Sequence, residues 1–295
     1  MEINVIINVT SNSGKTGQYV SQIKKYFKEK NIKFSLFVTK HIGHATELAK
    51  KITASNNKKI LITVGGDGTI HEVLNGIVNF ENTYFAAIPA GSGNDFLNNF
   101  DTNKYKNIRE RLDGILKNNY EYVDFLLVNN KLRGIESVGF GIVSNILKTY
   151  YKLKRFSPKT RYRLATLRHT IFYTPNKFNY SIDGKKNWIQ AKCIIFEIGN
   201  GKTIGGGINV IPHGDIKDNL ISVSYIEPIN HFLIPFAFRN LLKKDASVLK
   251  KNHRFFTKSI SIRLNKPIYH IDGQLYTDTS TLDIKIVHNK LKFIY

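Results

Sequence analysis

The chain opens as a series of short apolar runs, each followed by a polar or glycine-rich turn and then by apolar residues at helical spacing. Residues 3–9 form the first run, and Val20, Ile23 and Phe27 follow on one helical face. Residues 32–38 alternate as a second strand ending at Thr39, and a helix is expected from about Gly43 to Ala54. Residues 59–64 are apolar and run into glycines, the pattern of a buried parallel strand. Ile70, Val73, Leu74 and Ile77 then share a helical face, and Thr69 with Glu72 reads as the capping box of that helix. Residues 84–88 are a fourth strand, 104–117 read as helix, and 122–128 return to strand.

This strand–helix alternation predicts an α/β, doubly wound parallel sheet over residues 1–128. After about residue 130 the helical spacing gives way to strand-like runs, at 133–138, 178–182, 191–198, 220–225, 259–264, 267–271, 282–287 and 291–295. Asp183-Gly184, Gly199-Asn200-Gly201, Gly205-Gly206-Gly207 and Asp272-Gly273 punctuate them as turns. An antiparallel, all-β sandwich over 129–295 is expected, with the last strand free to return to the first domain.

Open parallel sheets bind ligands beyond the carboxyl ends of their strands. Thr39, the loop Gly65-Gly66-Asp67-Gly68-Thr69 and the loop Gly91-Ser92-Gly93-Asn94-Asp95 all fall there. Glycines let a ligand approach the main chain, and a helix N-terminus aims free N–H groups at an anion, so a phosphate site is indicated. A tight strand-to-helix turn with no ligand uses the same residues. Ser13-Gly14-Lys15-Thr16 looks like the end of a Walker A loop, but Val9 stands where that motif requires glycine, so a P-loop is not expected.

Charge narrows the partners. Lys and Arg total 44 against 22 Asp and Glu, a formal charge of +22 in 295 residues, which suits phosphorylated ligands, anionic membranes or nucleic acid. Residues 150–177 interleave Lys152, Lys154, Arg155, Lys159, Arg161, Arg163 and Arg168 with Tyr150, Tyr151, Phe156, Tyr162, Phe172 and Tyr173; residues 231–258 repeat the theme. That mixture fits an anionic bilayer surface or a nucleic-acid backbone, but no nucleic-acid recognition motif accompanies it. Membrane contact would be peripheral, since no run approaches the length of a span and the N-terminus is not a signal peptide. The one cysteine, Cys193, lies in an apolar run, which excludes an intrachain disulfide and agrees with a cytoplasmic setting.

Two loops and their order resemble the diacylglycerol kinase catalytic family, which includes bacterial soluble lipid kinases and sphingosine kinases. The carriers are Gly65-Gly-Asp-Gly-Thr69 with Ile70-His71-Glu72-Val-Leu-Asn-Gly76, and Gly91-Ser92-Gly-Asn94-Asp-Phe96. Asn8 with Ser13-Gly14, Gly43-His44-Ala45, Asp124, the glycines at 205–207, the segment Pro212 to Leu220 and Asp272-Gly273 extend the match along nearly the whole chain. The first loop is shared with NAD kinases; the second loop and the later matches favour the lipid branch.

The resemblance implies an ATP-dependent lipid kinase using Mg²⁺ and phosphorylating a hydroxyl of diacylglycerol or a related lipid at an anionic membrane surface. Asn8, Ser13, Gly14, Thr39, the stretch Gly65, Gly66, Asp67, Gly68, Thr69, Ile70, His71 and Glu72, and Gly91, Ser92 and Asn94 would line the ATP site. Asp67 would hold the catalytic Mg²⁺ or help to activate the lipid hydroxyl. A second, structural Mg²⁺ would sit on the Asp218 carboxylate and the Asp215 and Leu220 carbonyls, with an Asx turn without metal as the alternative. Near the C-terminus the family has Asp-Gly-Glu, with the glutamate as proton acceptor, whereas this chain has Asp272-Gly273-Gln274. A neutral amide takes no proton, so base work would fall to Asp272 or Asp67, or the base would be dispensable, or the chain would be slow or inactive. An NAD kinase-like phosphotransferase and a catalytically weak nucleotide- or lipid-binding regulator are the alternatives. The oligomeric state stays open, a homodimer included.

Overall fold

The computed structural model describes residues 1–11, 16–91, 93–101, 105–201, 211, 214–230, 234 and 251–295. The chain divides into two compact units, Met1–Asp124 with Val287–Tyr295, and Phe125–Ile286.

In the first unit, β1 (Glu2–Ile7), β2 (Ser35–Val38), β3 (Lys59–Gly65) and β4 (Thr83–Pro89) form a parallel sheet in the order β2-β1-β3-β4. Every residue of β3 is buried, as its unbroken apolar run requires of a central strand. Between these strands run α1 (Gln18–Glu29), α2 (His44–Thr53) and α3 (Asp67–Gly76), and α4 (Ile108–Leu116) follows β4. Ile23, Tyr26 and Phe27 of α1 with Leu112 and Ile115 of α4 close one core against Ile3, Val5 and Ile7. Tyr26 donates its hydroxyl hydrogen to Asp113 at 2.6 Å, fastening α1 to α4. Lys59 is wholly buried: its ammonium donates to Ile52 O, Ser55 O and Ser55 Oγ where α2 ends, and burial pulls its pKa below the ordinary lysine value.

The second unit holds two antiparallel sheets. β5 (Tyr120–Val128) leads in and pairs with β6 (Leu132–Gly134). β7 (Ser137–Gly141), β10 (Ile195–Gly199), β11 (Ile221–Ile226), β12 (Asn252–Thr257), β14 (Tyr269–Ile271) and β15 (Gln274–Tyr276) lie in the order β12-β11-β10-β7-β14-β15. The facing sheet has β8 (Asn176–Ile182), β9 (Ile189–Cys193), β13 (Ser259–Leu264) and the first half of β16 (Thr281–Ile294). Phe140 and Phe196 stack at 4.6 Å, and Phe178 from the facing sheet meets them edge-on at 5.1 and 4.9 Å. Each such buried ring contributes about 1.5–3 kcal/mol through removal from water. α5 (Ile142–Lys152) and α6 (Pro158–Ile171) follow β7.

Three expected elements differ. The run 191–198 is two strands, β9 and β10, which lie in different sheets. The run 133–138 is two short strands with a bend between them, because Asp272 draws the amides of residues 135–137 to its carboxylate. Residues 282–287 and 291–295 belong to one strand, β16, whose exposed stretch 288–290 takes Asn289 through positive φ. Its tail, Lys292–Ile294, pairs parallel with Tyr84–Ala86 of β4.

Candidate functional site

The C-terminal ends of the parallel strands carry the first unit's candidate residues. β3 ends at Gly65, and α3 begins at Asp67 with Gly66 as an extended N-cap whose carbonyl accepts from the Thr69 and Ile70 amides at 2.9 and 3.1 Å. By helix geometry the Asp67 and Gly68 amides have no partner within the helix, so they face whatever lies beyond its start. Asp67 Oδ1 is buried there with no hydrogen-bond partner. A buried carboxylate oxygen left bare costs about 1–3 kcal/mol, a strong reason to expect a ligand or cation.

The capping box expected of Thr69 and Glu72 does not form. The helix starts two residues before Thr69, and no side chain caps it. Thr69 is buried and its hydroxyl oxygen accepts from Asn8 Nδ2 at 3.2 Å, which ties the end of β1 to the start of α3. Glu72 instead serves α2: its two carboxylate oxygens accept from the Gly43 and Ala45 amides at 3.0 and 3.2 Å. Four first-turn amides are orphaned in any helix, and here a neighbouring helix supplies the acceptor.

The loop after β4 is pinned to the first. Ala90 N donates to Gly65 O at 2.8 Å, and a Cβ on Gly66 would lie only 2.9 Å from Gly91 Cα. Asn94, at φ 57°, accepts from the Gly91 amide at 3.0 Å and donates back to its carbonyl at 3.1 Å, so its side chain holds the loop closed. Thr39 sits at the end of β2, its amide donating to Ile7 O at 2.9 Å. Ile70 is wholly buried in the core, and His71 is buried with its carbonyl accepting from Asn75 Nδ2 at 2.9 Å. Asn8, Gly65, Gly66, Thr69 and Gly91 are thus brought together, and Asp67 follows Gly66 directly in the chain. Ser13, Gly14 and Ser92 lie outside the described residues, as do the glycines at 205–207, Pro212 and most of 231–250.

In the second unit, Asp272 and Gly273 are the two central residues of the β14–β15 hairpin, at φ 48° and 75°, the left-handed pair that a tight hairpin turn demands. The Asp272 carboxylate accepts from the Ile135, Glu136 and Ser137 amides at 2.8, 2.8 and 3.0 Å, so it anchors the bend between β6 and β7. Gln274 opens β15 and is half-buried. In the 215–220 turn, Asp215 Oδ1 accepts from Lys217 N at 3.0 Å and Asp218 Oδ1 from Leu220 N at 2.9 Å. These are Asx turns.

Several contributors carry weak sequence signals. Thr16 is buried, with its hydroxyl within reach of Ser11 O (3.0 Å) and Ala90 O (3.1 Å), which joins the first loop to the second. His270 and Glu197 form a buried pair at 3.0 Å. Burial alone would lower the His270 pKa; the Glu197 carboxylate outweighs it, with help from Asp272, and the pKa lies above the ordinary histidine value. An alternating strand pattern with a single histidine or glutamate inside it is the only trace of this pair in the sequence.

Chemically, the first unit offers backbone amides, a bare carboxylate oxygen and small hydroxyls, and no bulky side chain separates Gly66 from Gly91. Such a set suits a polyphosphate with a hard cation, and Asp67 is the donor fitted to Mg²⁺.

The diacylglycerol kinase catalytic domain family model matches residues 2–128, and the YegS C-terminal NAD kinase beta sandwich-like domain matches residues 136–294. The chain is 36% identical over 297 residues to "Putative lipid kinase YtlR" of Bacillus subtilis, covering 93% of each chain. It is 24% identical to the diacylglycerol kinase of the same organism, over 92% of this chain and 88% of that one. A crystallised diacylglycerol kinase from Bacillus anthracis shares the fold, with a TM-score of 0.74 at 21% identity over 100% of this chain and 96% of that one. With both halves matched and a relative aligned over 93% of each chain, this protein belongs to the diacylglycerol kinase catalytic-domain family with a YegS-type C-terminal sandwich, and it is a lipid kinase.

Proposed function

We propose that the protein transfers the γ-phosphoryl group of ATP to a free hydroxyl of diacylglycerol or a closely related lipid, giving a phospholipid such as phosphatidic acid. The observation that carries this reading is the bare, buried Asp67 Oδ1 at the start of α3, beside the close approach of Gly66 to Gly91. Phosphoryl transfer depends mainly on positioning and charge stabilisation. The loop amides and Thr69 would orient the phosphates, and Asp67 would hold Mg²⁺, which supplies charge neutralisation at the phosphates when bound. A second Mg²⁺ at Asp215, Asp218 and the Leu220 carbonyl rests on family resemblance alone. Gln274 accepts no proton, which leaves a carboxylate elsewhere or solvent to take the hydroxyl proton.

Helix α6 supports a peripheral encounter with an anionic bilayer. Leu167, Ile171 and Phe172 are 59%, 55% and 73% exposed, and Arg163 and Arg168 lie exposed among them. Apolar side chains in a basic surround both insert and attract, at about 1 kcal/mol per basic residue near the surface. Among the described residues no helix is long and apolar enough to cross a membrane. Radiolabelled transfer from ATP to a panel of diacylglycerol, sphingosine and NAD tests the proposal: label in diacylglycerol or a kindred lipid is expected, and label in NAD alone contradicts it.

A further inference from the structure

The outer strands of the six-stranded sheet border a small pocket within the second unit, with a largely apolar wall and one arginine among its described lining residues. In the β11–β12 ladder Ser222 faces Phe256, Ser224 faces Arg254 and Ile226 faces Asn252. With side chains alternating along a strand, Ser222, Ser224, Asn252, Arg254 and Phe256 share one face. Ser222, Ser224, Arg254 and Phe256 help to line a small pocket of about 30 Å³, open in part to solvent. Arg254 Nε and Nη2 are buried and have no hydrogen-bond partner, and neither has Asn252 Nδ2. The Asn252 oxygen is already taken, accepting from Ser224 Oγ at 3.0 Å. All three orphaned groups are therefore donors, one side chain is cationic, and no carboxylate is among the described residues lining the pocket.

Buried donors without acceptors are costly, and a guanidinium is the most demanding of them because its N–H groups point in fixed directions. What satisfies all three at once is a ligand that brings several oxygens and a negative charge. A cavity of about 30 Å³ leaves room for one compact anion at most, far below a pocket for a whole nucleotide or acyl lipid. We propose that this pocket is an oxyanion site, with Arg254 as the binding residue and Asn252 and the two serines completing the cradle. Arg254 forks onto two oxygens of one phosphate-type group. The group is either a free anion or the headgroup phosphate of an anionic lipid. The proposal needs no part of the kinase reading.

The test is the melting midpoint of the full chain titrated with inorganic phosphate, in the wild type, Arg254→Met and Arg254→Lys. A ligand that binds only the folded state raises the midpoint. A rise of a few degrees is expected in the wild type and in Asp67→Asn, cut by at least half in Arg254→Met. Arg254→Lys keeps the charge without the fork, and it carries the test if the methionine variant does not fold; it too loses at least half the rise. No rise in the wild type, or equal rises in wild type and both Arg254 variants, overturns the proposal. Flotation with phosphatidylglycerol vesicles against phosphatidylcholine vesicles separates the two sources. Loss of selective flotation in the Arg254 variants assigns the site to a lipid headgroup, and unchanged flotation beside a lost phosphate response assigns it to a soluble anion.

Discussion

Gly66 and Gly91 meet main chain to main chain: a Cβ on Gly66 would lie 2.9 Å from Gly91 Cα, and one on Gly91 would come closer still. This contact fixes the separation of the two loops whose amides face the proposed phosphates. Gly91→Ala forces a backbone shift, with an expected loss of about 1–3 kcal/mol, as for overpacked sites. Urea unfolding and kinase assays on the same samples check it. Gly17 is the control, because a Cβ there would meet nothing within 4 Å, and Gly17→Ala is expected to leave both readings in place.

Glu72 acts on its neighbour. Because its carboxylate receives the Gly43 and Ala45 amides, Glu72→Ala removes the acceptor for the start of α2. The expected destabilisation is about 1–2 kcal/mol, that of a lost helix cap. The urea midpoint reads it, and a midpoint within error of wild type would contradict the assignment.

At the hairpin, Gln274→Glu places a carboxylate where the family has one. If proton acceptance limits turnover, kcat rises by up to about 10²-fold and increases with pH through the carboxylate range. A kcat that stays flat or falls shows that Gln274 is not the limiting residue.

The His270–Glu197 pair makes a statement about pH. A histidine whose folded-state pKa is raised adds stability that is fully present below its unfolded value, about 6.5, and is lost as pH rises through the folded value. Stability is therefore expected to decline from near pH 6.5 upward, and the double variant Glu197→Gln, His270→Gln should flatten that limb in urea titrations at several pH values.

On the α6 surface, Leu167→Glu with Phe172→Glu removes two exposed apolar side chains and adds repulsion. Flotation with anionic vesicles is expected to fall, with melting unchanged because neither side chain is buried. Undiminished flotation would move the membrane-facing surface elsewhere.

Much of the fold is legible along the chain because each signal is local. The all-apolar β3 and the alternating strands of the sandwich read directly from period and turn residues, and so do the two glycine loops. The site is legible as residue types at strand ends. What a sequence does not carry is which neighbour satisfies which polar group. Glu72 sits three residues after Thr69, the spacing of a capping box, yet a helix distant in sequence takes both its oxygens. Asp272 reads as a turn residue, and only the fold brings it to the amides of 135–137. Arg254, Glu197 and His270 look like ordinary members of half-polar strands until burial shows their donors and acceptors.

The central claim is that Asp67 organises phosphoryl transfer at the start of α3. Its most direct test is the rate of γ-phosphoryl transfer from ATP to diacylglycerol in mixed vesicles by the wild type and Asp67→Asn, with melting followed on both. The account predicts a fall in kcat of about 10²-fold or more, the scale of losing one electrostatic catalytic group, with a melting midpoint no lower than the wild type's. Equal rates in the two proteins would contradict it.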